Sequence, residues 1–335
     1  MLREKMEFMK NPPIGVLDEH PDWLDPLYAA FDKRGIKYEK IDISTFSYDP
    51  KLKDCLPFYV NRLSPSALNR GHESAFAFTL DYITHLESLG ARIVNGSHTV
   101  LIETSKAKQA SLMSTLNISQ PKTVVLNSIS QIEQYMGEFK FPVLIKPNCG
   151  GSGAGIQKFD TVEKLRTAMD SEQISLPTNQ LFILQEFIQP RDGHIVRMET
   201  INGKLVYAMK VFTDGSFNLC PSDGCDIDRS PSPPPKEDLG YCPSNTDSGV
   251  RFELYENPPK DVVKAVERIV AFAGIECGGI EYTVGQDGQW YIYDINPLSI
   301  LRASFKADYG VDGWGMLADY FIQEYHKVVE CSLSA

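Results

Sequence analysis

Between Phe141 and Phe159 the chain reads Phe-Pro-Val-Leu-Ile-Lys-Pro-Asn-Cys-Gly-Gly-Ser-Gly-Ala-Gly-Ile-Gln-Lys-Phe, and no other stretch constrains the fold as much. An apolar run ends in Lys146. Gly150, Gly151, Gly153 and Gly155 then surround Ser152, and a second short run covers Ile156 to Phe159. Glycines let backbone N–H groups converge on a phosphate at positive φ, where a Cβ would clash. A lysine at the end of the entering strand adds a point charge to the same phosphates. In the phosphate loops that open a helix, helical periodicity follows the glycines directly. Here a strand-like run comes first, and helix signals begin only at Asp160, which has capping-box spacing to Glu163. The pattern predicts a strand–glycine flap–strand hairpin.

The 335 residues suit two or three domains. With 42% apolar and 23% charged residues the composition is that of a globular protein. A formal charge of −11 argues against nonspecific nucleic-acid binding and against docking on anionic lipid, while leaving room for a locally basic site. The segment from Met1 to Lys10 lacks the apolar core of a signal peptide, and no run approaches the roughly 18 apolar residues of a membrane span. Seven cysteines spread over this length do not suggest a disulfide framework. The expectation is a reduced, cytoplasmic protein.

Ile14–Leu17, Ile36–Ile41, Phe58–Asn61 and Ala91–Asn95 read as strands, with helices between them at residues 23–31 and 75–89. This predicts a small parallel α/β domain closing near residue 100. Residues 101–183 read as an α+β unit with a helix at 105–116, a strand at 123–126, helix at 128–137 and the glycine hairpin. Residues 184–335 carry a hairpin at Val196–Ile201 and Leu205–Val211, an amphipathic helix at 259–273, paired strands at 280–284 and 290–295, and a final helix at 312–329. Residues 213–250, rich in Ser, Pro and Gly, are either a mobile lid or an insertion without a role. Cys220, Cys225 and Cys242 lie there and are read as free thiols, since no histidine is near to complete a zinc site. Trp23, Trp290 and Trp314 are read as core or near-core residues.

A second constellation is Gly278-Gly-Ile-Glu-Tyr282 followed by Tyr291-Ile-Tyr-Asp-Ile-Asn-Pro297. Glu281 and Asp294 fall in adjacent strands, and Asp294 and Asn296 share a strand face. Apolar neighbours mark these strands as buried, so two acids there call for a cation, an arginine or a structural salt bridge. Three oxygen ligands at this point suit Mg²⁺, which takes a couple of carboxylates plus phosphates and water.

The glycine hairpin with Lys146, the segment Leu184-Gln-Glu-Phe-Ile188 and the closing Glu281…Asp294-Ile-Asn296 occur in an order that resembles the ATP-grasp superfamily, most closely RimK-like and glutathione-synthetase-like ligases. The resemblance covers residues 95 to 300 and implies an ATP-grasp fold, α/β and α+β, behind an N-terminal pre-ATP-grasp parallel α/β domain. It implies ATP as cofactor with Mg²⁺, for which Mn²⁺ can substitute. Lys106 matches the first phosphate-binding lysine and Lys146 the second. Gly150, Gly151, Ser152, Gly153 and Gly155 match the flap over the phosphates. Gln185, Glu186, Phe187 and Ile188 match the segment at the adenine edge, and Asp192 or His194 the neighbourhood of the ribose. Relatives carry an acid closer to the arginine than this chain's Asp-Gly-His-Ile-Val-Arg does. Arg197 and Lys210 match cations near the transferred phosphoryl group. Glu281, Asp294 and Asn296 match ligands for two Mg²⁺ ions.

The implied chemistry phosphorylates a carboxylate with ATP and lets an amine attack the acyl phosphate, giving an amide or peptide bond, ADP and phosphate. Phosphoryl transfer asks mainly for positioning and charge neutralisation. For the substrates, Arg62 resembles an arginine that RimK-like ligases place in the loop after the third strand, where Ser64, Arg70 and His72 also lie. Ser299 and Arg302 follow Asn296 where relatives contact the acyl donor or acceptor. Arg62, Arg70 and Arg302 together could clamp a carboxylate or phosphate, or could form surface salt bridges. The resemblance further implies small carboxylate and amine substrates (an amino acid or peptide), a homodimer, and neither nucleic acid nor membrane as partner. Two other functions fit the same residues: an ATP-grasp kinase phosphorylating a hydroxyl, and an ATP-binding regulatory module without turnover.

Overall fold

A computed structural model describes residues 11–334 apart from residues 21, 52, 73, 152, 175, 177–180 and 213–249. Ser152 and nearly all of the 213–250 segment, with Cys220, Cys225 and Cys242, lie outside the described residues. The described residues build three sheets. No helix among the described residues is long and apolar enough to cross a membrane.

The first sheet holds β1 (Ile14–Asp18), β2 (Tyr38–Asp42), β3 (Phe58–Asn61) and β4 (Arg92–Val94) in the order β2-β1-β3-β4, all parallel. β1 is buried along its whole length, as a strand with helices on both faces must be. Helix α1 (Asp25–Lys33) starts with a proline in its first turn and buries Leu27, Tyr28 and Phe31; α2 (Ala75–Ser88) precedes β4.

After α3 (Ser97–Glu103) and α4 (Lys106–Thr115), the second sheet runs β5-β8-β6-β7, with β5 (Thr123–Leu126), β6 (Val143–Pro147), β7 (Gln157–Phe159) and β8 (Phe182–Glu186) antiparallel. The glycine hairpin is β6–β7, with Val143 opposite Phe159 and Ile145 opposite Gln157. Two local expectations change. The helix after the hairpin, α5 (Val162–Asp170), is capped by the Thr161 hydroxyl rather than by Asp160, whose carboxylate pairs with Lys158 and Lys164. The helix expected at 128–137 is broken into single turns, although Ser128 and Gln131 form a true capping box. β8 pairs with both β5 and β6 and so lies inside the second sheet.

The third sheet runs β11-β10-β9-β12-β13 and is antiparallel, with β9 (His194–Ile201), β10 (Lys204–Phe212), β11 (Arg251–Leu254), β12 (Cys277–Val284) and β13 (Trp290–Asn296). β11 has no counterpart in the sequence reading. Asn202 and Gly203 turn the β9–β10 hairpin at φ of 52° and 71°, the signature of a two-residue turn with both φ positive. One face of this sheet carries Val196, Met198, Ala208, Ile280, Tyr282, Ile292 and Ile295 into a core completed by α6 (Lys260–Ala273) and α4. The other face carries Ile195, Arg197, Glu199, Gly279 and Glu281. The last helix, α7 (Gly313–Ser334), buries Leu317, Phe321 and Tyr325 against β1, β3 and α1 in a cluster that also contains Met209 and Val211, so the first and third sheets share one apolar core. Truncating Phe321 there would cost about 3–5 kcal/mol.

Candidate active site

A cavity of about 400 Å³ opens between the glycine hairpin, the 185–190 segment and the polar face of the third sheet. Its acids come from β12 and β13. Glu281 is directly opposite Asp294, and Gly279 is opposite Asn296. Past Glu281 the register shifts, with Tyr282 opposite Ile292, so Tyr293 is the extra residue. Such an irregularity re-aims a side chain, and Tyr293 lines the cavity together with Asp294 and Asn296.

The cations reach the acids from two sides. Lys106, first residue of α4, donates to Asp294 Oδ1 at 2.5 Å. The α4 N-terminus is fixed by Asn148, whose carbonyl accepts from Lys106 N and whose side-chain oxygen accepts from Ala107 N at 3.0 Å. From β9, Arg197 donates through Nη1 to Glu281 Oε1 at 2.7 Å, through Nε to Glu199 Oε1 at 2.7 Å and through Nη2 to Ser299 Oγ at 2.6 Å. Lys146, at the end of β6, is 5% exposed and has no ion pair among the described residues; its ammonium lies 5.3 Å from the Tyr293 ring centroid.

These placements set the charges. Burial, with the positive charge of Lys106 beside it, pulls Lys146 down to about 8. Burial also raises Asp294, but Lys106 and Lys146 outweigh it and hold the carboxyl below its ordinary value. Burial, reinforced by Asp294, holds Glu281 above its ordinary value against the pull of Arg197. Glu103, at the end of α3, lines the same cavity; its Oε2 accepts from Leu298 N at 3.0 Å, and burial pushes it up to about 8.

The hairpin and the segment after β8 form the remaining walls. Gly150, Gly151 and Gly153 line the cavity. Gly155 sits behind them at φ 72°, where a Cβ would meet Pro147 Cγ at 2.9 Å, so only glycine fits. Gln185, Glu186, Phe187 and Ile188 all line the cavity beside the apolar Pro121, Leu144 and Ile156. Gln185 Nε2 donates to Thr123 Oγ1 at 2.9 Å, Glu186 Oε1 accepts from Lys140 N at 3.0 Å, and the Lys158 ammonium lies 4.6 Å from the Phe187 ring. Apolar side chains next to backbone groups are suited to an aromatic base.

Other expected residues lie elsewhere. Gly193 lines the cavity but Asp192 and His194 do not: Asp192 pairs with Arg191 at 3.1 Å and His194 packs on Phe212. Lys210 is opposite Val196, whereas Met209 is opposite Arg197. Cross-strand partners share a face, so Lys210 points to the opposite side from Arg197, and its ammonium sits 4.9 Å from the Tyr255 ring. The Arg302 guanidinium lies 4.3 Å from the Phe252 ring and outside the cavity lining. Of the residues expected at the substrate end, Ser64 and Ser299 line the cavity. Arg62 is 1% exposed, donating to the Ser299 carbonyl and to Cys277 Sγ at 3.6 Å. Arg70 donates to Glu19 Oε1 at 2.7 Å, and His72 Nδ1 lies 2.6 Å from the same oxygen. The three arginines therefore do not form one clamp.

The sequence reading passed over Glu103, Tyr293, Trp23, Lys158 and Glu199. Trp23 is buried as expected, but it also lines the cavity; His20 stacks on it at 4.2 Å, and the Arg70 guanidinium lies 4.7 Å from its ring. Only the buried acids left a signal: Glu199 alternates in phase with Arg197 in a largely apolar strand.

Among the described residues no group of three or more His, Cys, Asp and Glu side chains is arranged to hold a metal ion. Glu281 and Asp294 with the Asn296 amide fit Mg²⁺ nevertheless, since that ion needs only one or two carboxylates when phosphates and water complete its shell. Among the described residues Asn296 Nδ2 is buried without a hydrogen-bond partner, which leaves an N–H donor for an anionic ligand oxygen beside the cation.

Residues 103–225 match the RimK-like ATP-grasp domain. The chain is 28% identical over 113 residues to the alpha-aminoadipate–LysW ligase LysX of Sulfurisphaera tokodaii, covering 33% of this chain and 40% of that protein. It is 26% identical over 193 residues to the tetrahydromethanopterin:alpha-L-glutamate ligase of Methanocaldococcus jannaschii, covering 56% and 65%. It thus spans less than two thirds of the length of these curated relatives. The solved structure of the ATP-grasp ligase PsnB with a minimal precursor superposes with a TM-score of 0.65 at 16% identity, over 93% of this chain and 99% of that one. Residues 103–225 therefore carry a RimK-like ATP-grasp domain, within a chain whose fold is that of the ATP-grasp proteins.

Proposed function

We propose that the protein is an ATP- and Mg²⁺-dependent carboxylate–amine ligase. The observation that carries this reading is the convergence of Lys106, Lys146, Arg197, Glu281 and Asp294 on one cavity roofed by the glycine hairpin. Lys106 and Lys146 supply the positive charge a triphosphate needs, and backbone N–H groups of Gly150, Gly151 and Gly153 cover it. Adenine fits between Leu144, Ile156 and the Phe187–Ile188 backbone. Glu281, Asp294 and Asn296 would hold Mg²⁺, which when bound neutralises charge on the transferring phosphoryl group. Arg197 faces the same point, where an acid oxygen attacks the γ-phosphorus and ADP departs. An amine then attacks the acyl carbon, phosphate leaves, and the nitrogen gives up a proton to yield the amide.

The substrates enter past Trp23, Ser64 and Ser299. The relatives named above are a ligase of alpha-aminoadipate and LysW and a ligase of tetrahydromethanopterin and alpha-L-glutamate, and PsnB is solved in complex with a minimal precursor. We accordingly assign an amino acid or a peptide as one partner, in a cytoplasmic setting. Phosphate release from ATP and Mg²⁺, screened over pooled amino acids and peptides, tests the reading. Release that needs one acid and one amine supports it. A stable phosphorylated product formed without an amine replaces it by a kinase, and ATP binding without turnover on any pool replaces it by a sensor.

A further inference from the structure

Glu199 is a buried acid that the mechanism above leaves without a task. It is 0% exposed, one strand position beyond the cavity, and its carboxylate accepts from Arg197 Nε at 2.7 Å and from Ser299 Oγ at 2.8 Å on both oxygens. The strand register makes room for it. Arg197 is opposite Glu281, and two residues on Glu199 is opposite Gly279. A Cβ at Gly279 would lie 2.9 Å from Glu199 Oε1 and 3.0 Å from Arg197 Nε. The glycine is therefore what admits the second acid.

Arg197 thus holds two carboxylates at once, one reaching the cavity and one sealed behind it. A buried guanidinium cannot be left without a counter-charge. If Glu281 were its only acid, a metal ion could claim Glu281 only by stranding Arg197. We propose that Glu199 is a positioning residue that carries the counter-charge of Arg197 and, with Ser299, fixes its fork, so that Glu281 remains available to the metal. This rests on the reading of Glu281 as a metal ligand. Without Glu199, Arg197 would close fully on Glu281 and compete with the cation.

The test is the Mn²⁺ affinity of the full chain with a non-hydrolysable ATP analogue, followed by electron paramagnetic resonance, with thermal melting of each variant. Glu199→Gln keeps the shape and removes the charge, and is expected to weaken Mn²⁺ binding about tenfold, equivalent to about 1.4 kcal/mol. In an Arg197→Met background the same change should matter less than twofold, because the competitor is gone. Equal losses in both backgrounds would show a plain long-range charge effect and overturn the proposal. Should Arg197→Met fail to fold, Ser299→Ala decides: it removes the hydroxyl's hydrogen bonds to Arg197 and Glu199 without removing charge, and should shift Mn²⁺ affinity less than threefold. A loss as large as that of Glu199→Gln overturns the counter-ion role. Normal Mn²⁺ binding by folded Glu199→Gln overturns this role alone. A wild type that binds no Mn²⁺ with the analogue overturns the metal site and this role together.

Discussion

The two ends of the cavity use cations in opposite ways. At the end beneath the glycine hairpin Lys146 is buried with no ion pair among the described residues, and Lys106 and Arg197 reach Asp294 and Glu281, which themselves line the cavity. At the N-terminal end the cations turn inward: Arg62 is closed off beneath Ser299, and Arg70 is joined to Glu19, whose side chain is 1% exposed. Cationic side chains therefore face the cavity at one end and the scaffold at the other. Burial decides which, because a buried cation must find its counter-charge either in the protein or in what the protein binds.

The strongest test of this contrast is Asp294→Asn. If the nucleotide end is built around a metal and a triphosphate, ATP-dependent phosphate release should fall about 10²–10³-fold while the melting temperature changes little. An unchanged rate would break the comparison. Arg62→Ala should show the reverse. Loss of a buried side chain and its hydrogen bonds should lower unfolding free energy by about 2–4 kcal/mol in a denaturant titration, with ATP affinity retained. A selective loss of substrate affinity at full stability would instead place Arg62 with the ligand.

A third test uses pH. Burial holds the ammonium of Lys146 down to about 8 in the free protein. Below that value the charge is present and ATP affinity is full. As pH rises through about 8 the free protein loses the charge, so the ATP dissociation constant should climb up to about tenfold per unit until the pKa of the bound form is passed. Lys146→Met should bind weakly with little slope over the same range. Smallest of all, Trp23→Phe removes a buried indole N–H that has no partner among the described residues. It should raise the KM of the acid or amine about threefold to tenfold and leave ATP affinity alone. An effect on ATP instead would merge the two ends into one site.

Much of the nucleotide end was legible because its signals are local. Glycine spacing, a lysine at a strand end and an acid two residues before an asparagine are set by strand periodicity and backbone freedom alone. Lys210 shows where locality fails: its placement depends on a one-residue difference in pairing between β9 and β10, which turns a side chain to the other face. Tyr293 reaches the cavity through a register shift that no pattern announced. Glu19, Arg70 and His72 come from two segments about fifty residues apart, and their closure on one another is a tertiary fact.

The sequence by itself determined most element types, the glycine flap, the acid strands and the family they resemble, because each depends on contacts within a few residues or across one hairpin. Only the tertiary structure decided which charges meet. It joined Lys106 to Asp294 across 188 residues and Arg197 to both Glu199 and Glu281, and it closed Arg62 and Arg70 away from the cavity. The physical reason is that a charge in a low-dielectric interior is governed by its nearest partner in space, and chain distance does not specify that partner.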